Sequence, residues 1–289
     1  MRTFRIVATF AIAAVLSYGS LLATPPDSQA SRLLASVVDQ NGAPVTGLNK
    51  SDFIVRVNGK DAAVLDVMPL NEPLSIVVVP EGFSSSLISD ARNTLRAIVN
   101  VARTHHSDTK VGLMLGEGAS TPTMYRVSDQ AGELDREISR YFYSPTSSPI
   151  MDSILVATQT LSAERNRTRV VLVVSVGGVF QDSLPATRIA KAVYESGSSF
   201  WAMDAVRSRP IGASAARVLA EITTASGGRH ESSSLAALTA NTEKMMTDIV
   251  SRYAISFEAP GYKDAAVVAV RRPGLSVTAP SWPAKISGL

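Results

Sequence analysis

The 289-residue chain contains no cysteine. Disulfides, thiolate metal sites and an acylated cysteine as a lipid anchor are therefore excluded. Aromatic residues are sparse at 6%, charged residues reach only 18%, and the net charge is +3. So small a surplus, with no dense Lys/Arg stripe interleaved with aromatics, argues against a nucleic-acid surface. Beyond Ala23 no apolar run is long enough to span a bilayer. The chain is instead rich in hydrophobic residues, at 45%. That predicts a folded chain, and its length suits one large domain with a small companion.

The one long apolar run lies at the start. Arg2 and Arg5 precede an uncharged stretch from Ile6 to Ala23, followed by Thr24-Pro25-Pro26-Asp27-Ser28-Gln29-Ala30. A positive start, a hydrophobic run and small residues at Ser28 and Ala30 make a secretory signal, with cleavage expected after Ala30. An uncleaved membrane anchor is the alternative, because the run just suffices to cross a bilayer. Either way the rest of the chain is expected to be exported, to the periplasm or the cell exterior. Loss of residues 1–30, with Arg2, Arg5 and Asp27, would leave a net charge of +2.

Residues 31–72 read as short strands. Leu33–Val38 and Phe53–Val57 are β-rich, with a turn at Asp39-Gln40-Asn41-Gly42 between them. Asn58-Gly59 predicts a hairpin joining Phe53–Val57 to Ala63–Val67. After Pro73 the pattern changes to alternating strands and helices. Leu74–Val79 is nearly continuous in apolar residues, as in a parallel strand buried on both faces. Leu87, Ile88, Ala91, Leu95, Ile98, Val99 and Ala102 then recur at helical spacing. Further strands are expected at Val111–Leu115, around Met124–Val127, at Val170–Val174 and at Phe200–Val206. Helices are expected near 133–142, 150–163, 185–194 and 213–225, and a long final one across Leu235, Leu238, Met245, Ile249 and Tyr253. The end returns to β, at Ala254–Phe257, Ala265–Val270 and Leu275–Thr278. The fold class predicted is α/β: a doubly wound, mostly parallel sheet over residues 73–253. Residues 31–72 and 254–289 are expected to build one small β module beside it.

In such a sheet, ligands gather where loops leave the carboxyl ends of strands. The loops concerned are Pro80–Ser86, Ser144–Pro149 and Ser175–Ser183. The order of elements, the Ser-rich first loop and Ser175-Val176-Gly177-Gly178 resemble a von Willebrand factor type A domain. The flanks resemble the acidobacterial-type proteins related to it. They are Val37-Val38-Asp39 through Gly47-Leu48, Asp52-Phe53, Gly227-Gly228-Arg229, Arg252-Tyr253 and Arg272-Pro273-Gly274-Leu275-Ser276-Val277. The resemblance implies a metal-ion-dependent adhesion site built from an Asp-x-Ser-x-Ser loop, a Thr and a second Asp, all oxygen ligands suited to Mg²⁺. Here Pro80 stands at the first Asp, Gly82 and Ser84 at the two Ser positions, Ser148 at the Thr and Val176 at the last Asp. Asp152 matches an Asp of the following helix. With both carboxylates gone and Glu81 one position off, no metal and no cofactor are expected.

Glu81, Phe83, Ser84, Ser148, Val179 and Phe180 form the candidate ligand-binding edge, an apolar patch with a polar rim for a protein partner. Phe83, Val179 and Phe180 folding under to cap the core is the competing expectation. His105-His106 is expected to serve a helix end, His230 to lie in a solvated turn, and the Ser84–Ser86 run to cap the helix at Leu87. Glu117 and Asp204 sit at strand ends, with nothing to pair them as acid and base, and Gly177-Gly178 lacks the spacing of a phosphate loop. No catalytic residue is predicted. Three functions stay open: an exported, non-enzymatic binding or scaffolding module working without metal; a structural part of an envelope assembly; and an exported hydrolase, the least supported. Membrane contact is expected only through an uncleaved N-terminal segment.

Overall fold

The computed structural model describes residues 30–115, 123–128, 131–140, 150–176, 186–206, 213–259 and 266–280. The N-terminal segment and the loops at 144–149 and 177–183 lie outside this set. No described helix is long and apolar enough to cross a membrane.

The α/β part is built on strands β5 (Leu74–Glu81), β6 (Lys110–Leu115), β7 (Thr123–Ser128), β8 (Thr168–Val176), β9 (Ser198–Val206) and β10 (His230–Ser234). They form one sheet in the order β10-β9-β8-β5-β6-β7, parallel except for β7, which runs antiparallel to β6. The chain starts in the middle, builds outwards to one side, then returns to build the other. This is the doubly wound arrangement, and its reversal of order falls between β5 and β8.

Among the described residues six α-helices cover the sheet: α1 (Ile88–His105), α2 (Ala131–Arg140), α3 (Ile150–Ser162), α4 (Ala186–Glu195), α5 (Ala213–Ser226) and α6 (Leu238–Val250). Alternation along the strands sorts the core into two layers. Ile76, Val78, Leu172, Val174, Trp201 and Met203 face α1, α2 and α6. Val77, Val79, Val171, Val173, Phe200 and Ala202 face α3, α4 and α5. Strands apolar at successive positions are what a sheet covered on both faces requires.

The termini build two antiparallel sheets. Strands β1 (Ala30–Val38), β4 (Val64–Pro69), β11 (Tyr253–Glu258) and β13 (Ser276–Thr278) run in the order β13-β1-β11-β4. Strands β2 (Phe53–Val57), β3 (Lys60–Ala62) and β12 (Ala266–Val270) run in the order β12-β2-β3. Leu33, Val37, Phe53, Val55, Tyr253, Ile255 and Phe257 share their core. Both chain ends thus interleave, with the α/β part inserted between β4 and β11.

Three sequence expectations need correction. The turn at Asn58-Gly59 forms, with φ of 52° and 76°, but it returns only through β3. The strand expected at Ala63–Val67 pairs with β11 in the other sheet. The chain switches sheets at Ala63, a step that a local turn signal does not encode. The long final helix ends at Val250, and Tyr253 belongs to β11 instead. Finally, His230, expected in a solvated turn, opens β10, an edge strand paired with β9.

The quoted flank motifs pair with one another. Asp52 accepts from Arg272 Nε and Nη2 at 2.8 and 3.1 Å, and from the Asn49 N–H in a capping box. The Asn49 amide and Arg272 hold its carboxyl below the usual range. The Tyr253 hydroxyl donates to the Val45 carbonyl at 2.9 Å and accepts from the Leu48 N–H at 3.1 Å. Gly228 has no room for a side chain, since a Cβ would meet the Phe200 carbonyl oxygen at 1.7 Å. These motifs are architectural: they weld the ends of the chain together.

Candidate functional site

The switch point lies where β5 and β8 end side by side. Pro80 pairs with Val174 and Glu81 with Ser175, and Ser175 in turn pairs with Asp204 of β9. Asp204 pairs with Ser232 of β10. Glu81, Ser175, Asp204 and Ser232 therefore make one polar row across four parallel strands, at the carboxyl edge. Strand alternation puts the row on the α3–α5 face, two residues beyond Val79, Val173 and Ala202.

Asp204 is a buried member, 2% exposed. The Ser175 hydroxyl donates to its Oδ1 at 3.0 Å. Burial raises its carboxyl above the usual range, opposed by the Ser175 bond and by His230. Ser175 is buried too, and its proton points to a carboxylate that is itself desolvated. The pair satisfies itself and offers no free nucleophile. Its sequence signal was present, as a lone acid in the apolar run Phe200–Val206, but nothing in the sequence placed Ser175 opposite it.

The expected edge residues separate. Glu81 is half-buried at the end of β5, and Gly82 turns the chain with φ of 73°. Phe83 is 3% exposed and packs in the core under α1. That corrects its role as an exposed anchor: it caps the sheet. Ser84 is half-buried, while Ser85 and Ser86 are exposed. The expected helix cap is absent: Ser84 makes no side-chain cap bond and its hydroxyl meets that of Ser86 at 2.9 Å. Ser148, Val179 and Phe180 lie outside the described residues, as do Glu117 and Gly177-Gly178.

Pro80 and Val176, which the family resemblance sets at the two carboxylate positions, are both buried. Among the described residues no group of three His, Asp or Glu side chains could hold a metal ion. The described residues do not fit Mg²⁺, which sheds water reluctantly and favours carboxylate ligands.

The histidines also differ from expectation. His230 starts β10 half-buried, and its Nε2 is sealed from water without a hydrogen-bond partner. His105 closes α1 in the same state, its Nε2 sealed and unpartnered. His106 caps α1 through its backbone N–H, which donates to the Ala102 carbonyl. Its imidazole, expected to meet a helix carbonyl, instead accepts from the Asp108 N–H at 3.2 Å through Nδ1.

No family model matches the chain, and no curated protein matches it. Solved structures do resemble it. A von Willebrand factor type A protein from Catenulispora acidiphila is 10% identical, with a TM-score of 0.49 over 88% of this chain and 73% of that one. The conserved hypothetical protein BatB from Bacteroides thetaiotaomicron is 13% identical, with a TM-score of 0.46 over 61% of this chain and 98% of that one. An aerotolerance-related membrane protein from Bacteroides fragilis is 13% identical, with a TM-score of 0.45 over 60% and 98%. The fold class itself rests on the strand order and register of this chain.

Proposed function

We propose that this chain is an exported, non-enzymatic protein-binding module of the von Willebrand factor A-like kind, and that it binds its partner without a metal. The observation that carries the reading is the switch point itself. It is where a doubly wound sheet presents ligands, yet Pro80 and Val176 stand buried and uncharged at the two positions that would hold a cation. Ser85 and Ser86 remain exposed beside it. The described part of the partner-facing edge is Glu81 and Ser84 to Ser86, with the buried Phe83 beneath. Against an enzyme stands the chemistry of the row: the Ser175 hydroxyl is sealed and committed to Asp204.

The structural reading, a part of an envelope assembly, draws on a different surface. Strand β4 is an edge strand that exposes Leu65 by 41% and Met68 by 55%. Open edges of this sort invite pairing with another chain. Photo-crosslinkers placed singly at Ser85 and at Met68, in the protein expressed in its own envelope, separate the two. A discrete crosslinked product from Ser85 that persists in EDTA supports the binding module. Products from Met68 alone transfer the function to the β4 edge.

A further inference from the structure

The sequence holds two Asn-Gly pairs, Asn41-Gly42 and Asn58-Gly59, and both fall in turns of the β module. All four residues are exposed. An asparagine followed by glycine is open to attack on its side chain by the next backbone nitrogen, because glycine has no side chain to crowd the approach. The reaction needs that nitrogen to lose its proton and to move. The two turns differ in how firmly they hold it.

The first turn is clamped. The Gly42 N–H, the group that would have to attack, donates to the Asp39 carbonyl at 3.0 Å. The Asn41 and Ala43 N–H groups donate to Asp39 Oδ1 at 2.8 and 2.9 Å, and the Asp39 N–H donates to the Ala43 carbonyl at 2.9 Å. Every amide around Asn41 is thus committed.

The second turn leaves its nitrogen open. The Arg271 N–H donates to the Asp52 carbonyl at 2.8 Å, which extends the β12–β2 ladder to Asp52. Alternation along β2 then points the amides of Asp52, Ile54 and Arg56 at β12, and those of Val55 and Val57 at β3. Val57 pairs with Lys60, and these two close the hairpin. Asn58 and Gly59 bridge them with φ of 52° and 76°, the left-handed pair of a two-residue hairpin turn. Among the described residues the Gly59 N–H meets no acceptor, so water is free to take its proton.

We propose that Asn58 is a self-modification site, which the folded chain converts to aspartate and isoaspartate while Asn41 is spared. The Gly59 nitrogen, once deprotonated, bonds to the Asn58 side-chain carbonyl carbon. The bond from that carbon to the side-chain nitrogen breaks, and the nitrogen leaves as ammonia after taking a proton from water. The resulting succinimide ring is opened by water at one carbonyl or the other. One opening gives aspartate; the other gives isoaspartate, whose backbone runs through the side chain and is one carbon longer. A two-residue turn has no slack for that carbon. The strand beyond it, β3, is three residues long and has only β2 beside it in its sheet. Isoaspartate at 58 therefore loosens β3 and the Arg56–Asp61 pair across the hairpin, joined at 2.8 Å.

The test is to age the purified protein at mildly alkaline pH, folded and in urea, and to map both sites by mass spectrometry with isoaspartyl peptides resolved by chromatography. One backbone hydrogen bond shifts an equilibrium about fivefold, so in the folded protein Asn58 should convert at least about fivefold faster than Asn41. In urea the gap should close. Asp39→Ala, which removes the carboxylate clamp, should speed Asn41 and leave Asn58 unchanged. Asn58→Gln should stay folded and stop conversion at the hairpin. Amide exchange at Lys60 and Ala62 should quicken in the isoaspartate-bearing fraction and not in fresh Asn58→Asp protein. Equal rates in the folded protein, a gap that persists in urea, an Asn41 rate unmoved by Asp39→Ala, or unchanged exchange in β3 would each overturn the proposal.

Discussion

The two edges of the sheet are opposites. The amino edge gathers Arg229 and Arg252 over Trp201, pairs Arg229 with the buried Asp248, and adds the half-exposed pair of Glu72 and Arg32. The carboxyl edge, where such folds keep their chemistry, holds Pro80 and Val176, the half-buried Glu81, and Asp204, whose carboxylate a hydroxyl already engages. The difference teaches where charge is tolerated. At the amino edge each buried cation faces carboxylates or hydroxyls that share its desolvation cost. At the carboxyl edge two carboxylates without a metal would repel each other, and uncharged residues remove that cost. Charge at the amino edge marks architecture.

This contrast can be broken most forcefully at Gly228. Gly228→Ala drives a Cβ into the Phe200 carbonyl oxygen, at backbone that cannot yield, and should cost more than about 4 kcal/mol. Urea unfolding, or failure to recover soluble protein, reads this; a wild-type midpoint would mean that the amino edge is loosely held. Next comes Asp248→Ala, which leaves Arg229 and the Ser36 hydroxyl without their acceptor. Removing one partner of a buried pair costs about 3–5 kcal/mol, so a loss under about 1 kcal/mol would demote the network to a surface feature.

Acid comes third. His105 and His230 are both depressed, mainly by burial, so the protein should lose stability as pH falls below about 6.5. Asp204, raised mainly by burial, works the other way: its neutral form suits the fold, so stability is regained as pH falls through its folded value. Melting temperatures measured between pH 7 and pH 4 should therefore decline and then flatten, and Asp204→Asn should steepen the second part. A melting temperature that rises steadily from pH 7 would contradict the assignment.

The smallest effect belongs to the carboxyl edge. Ser84→Ala should change stability by no more than about 0.5 kcal/mol. Thermal melts in EDTA and in millimolar Mg²⁺ or Mn²⁺ should coincide. A metal at ten times its dissociation constant would add about 1.4 kcal/mol, an easily seen shift. Such a shift, lost in Glu81→Ala, would return a cation to this edge and remove its contrast with the other.

Much of this molecule is legible in its sequence because the signals are local and strongly periodic. Leu74–Val79 and Val170–Val174 announce buried parallel strands, the spacing from Leu87 to Ala102 announces α1, and Asn58-Gly59 announces a turn. The order of these elements suffices for a doubly wound sheet. What the tertiary structure alone decided depends on partners far apart in the chain. Phe83 could equally have been an exposed anchor or a core residue, and only the packing of α1 over β5 buried it. His230-Glu231-Ser232-Ser233-Ser234 carries no strand signal, and became β10 because β9 offered it an edge. Ser175 and Asp204 are 29 residues apart, and met through register. Arg252 looked like one half of a short motif, and became a buried cation because two distant passages of the chain close over it. Periodicity records which face a residue takes; which residue it meets there is settled by burial, register and charge balance in the folded chain.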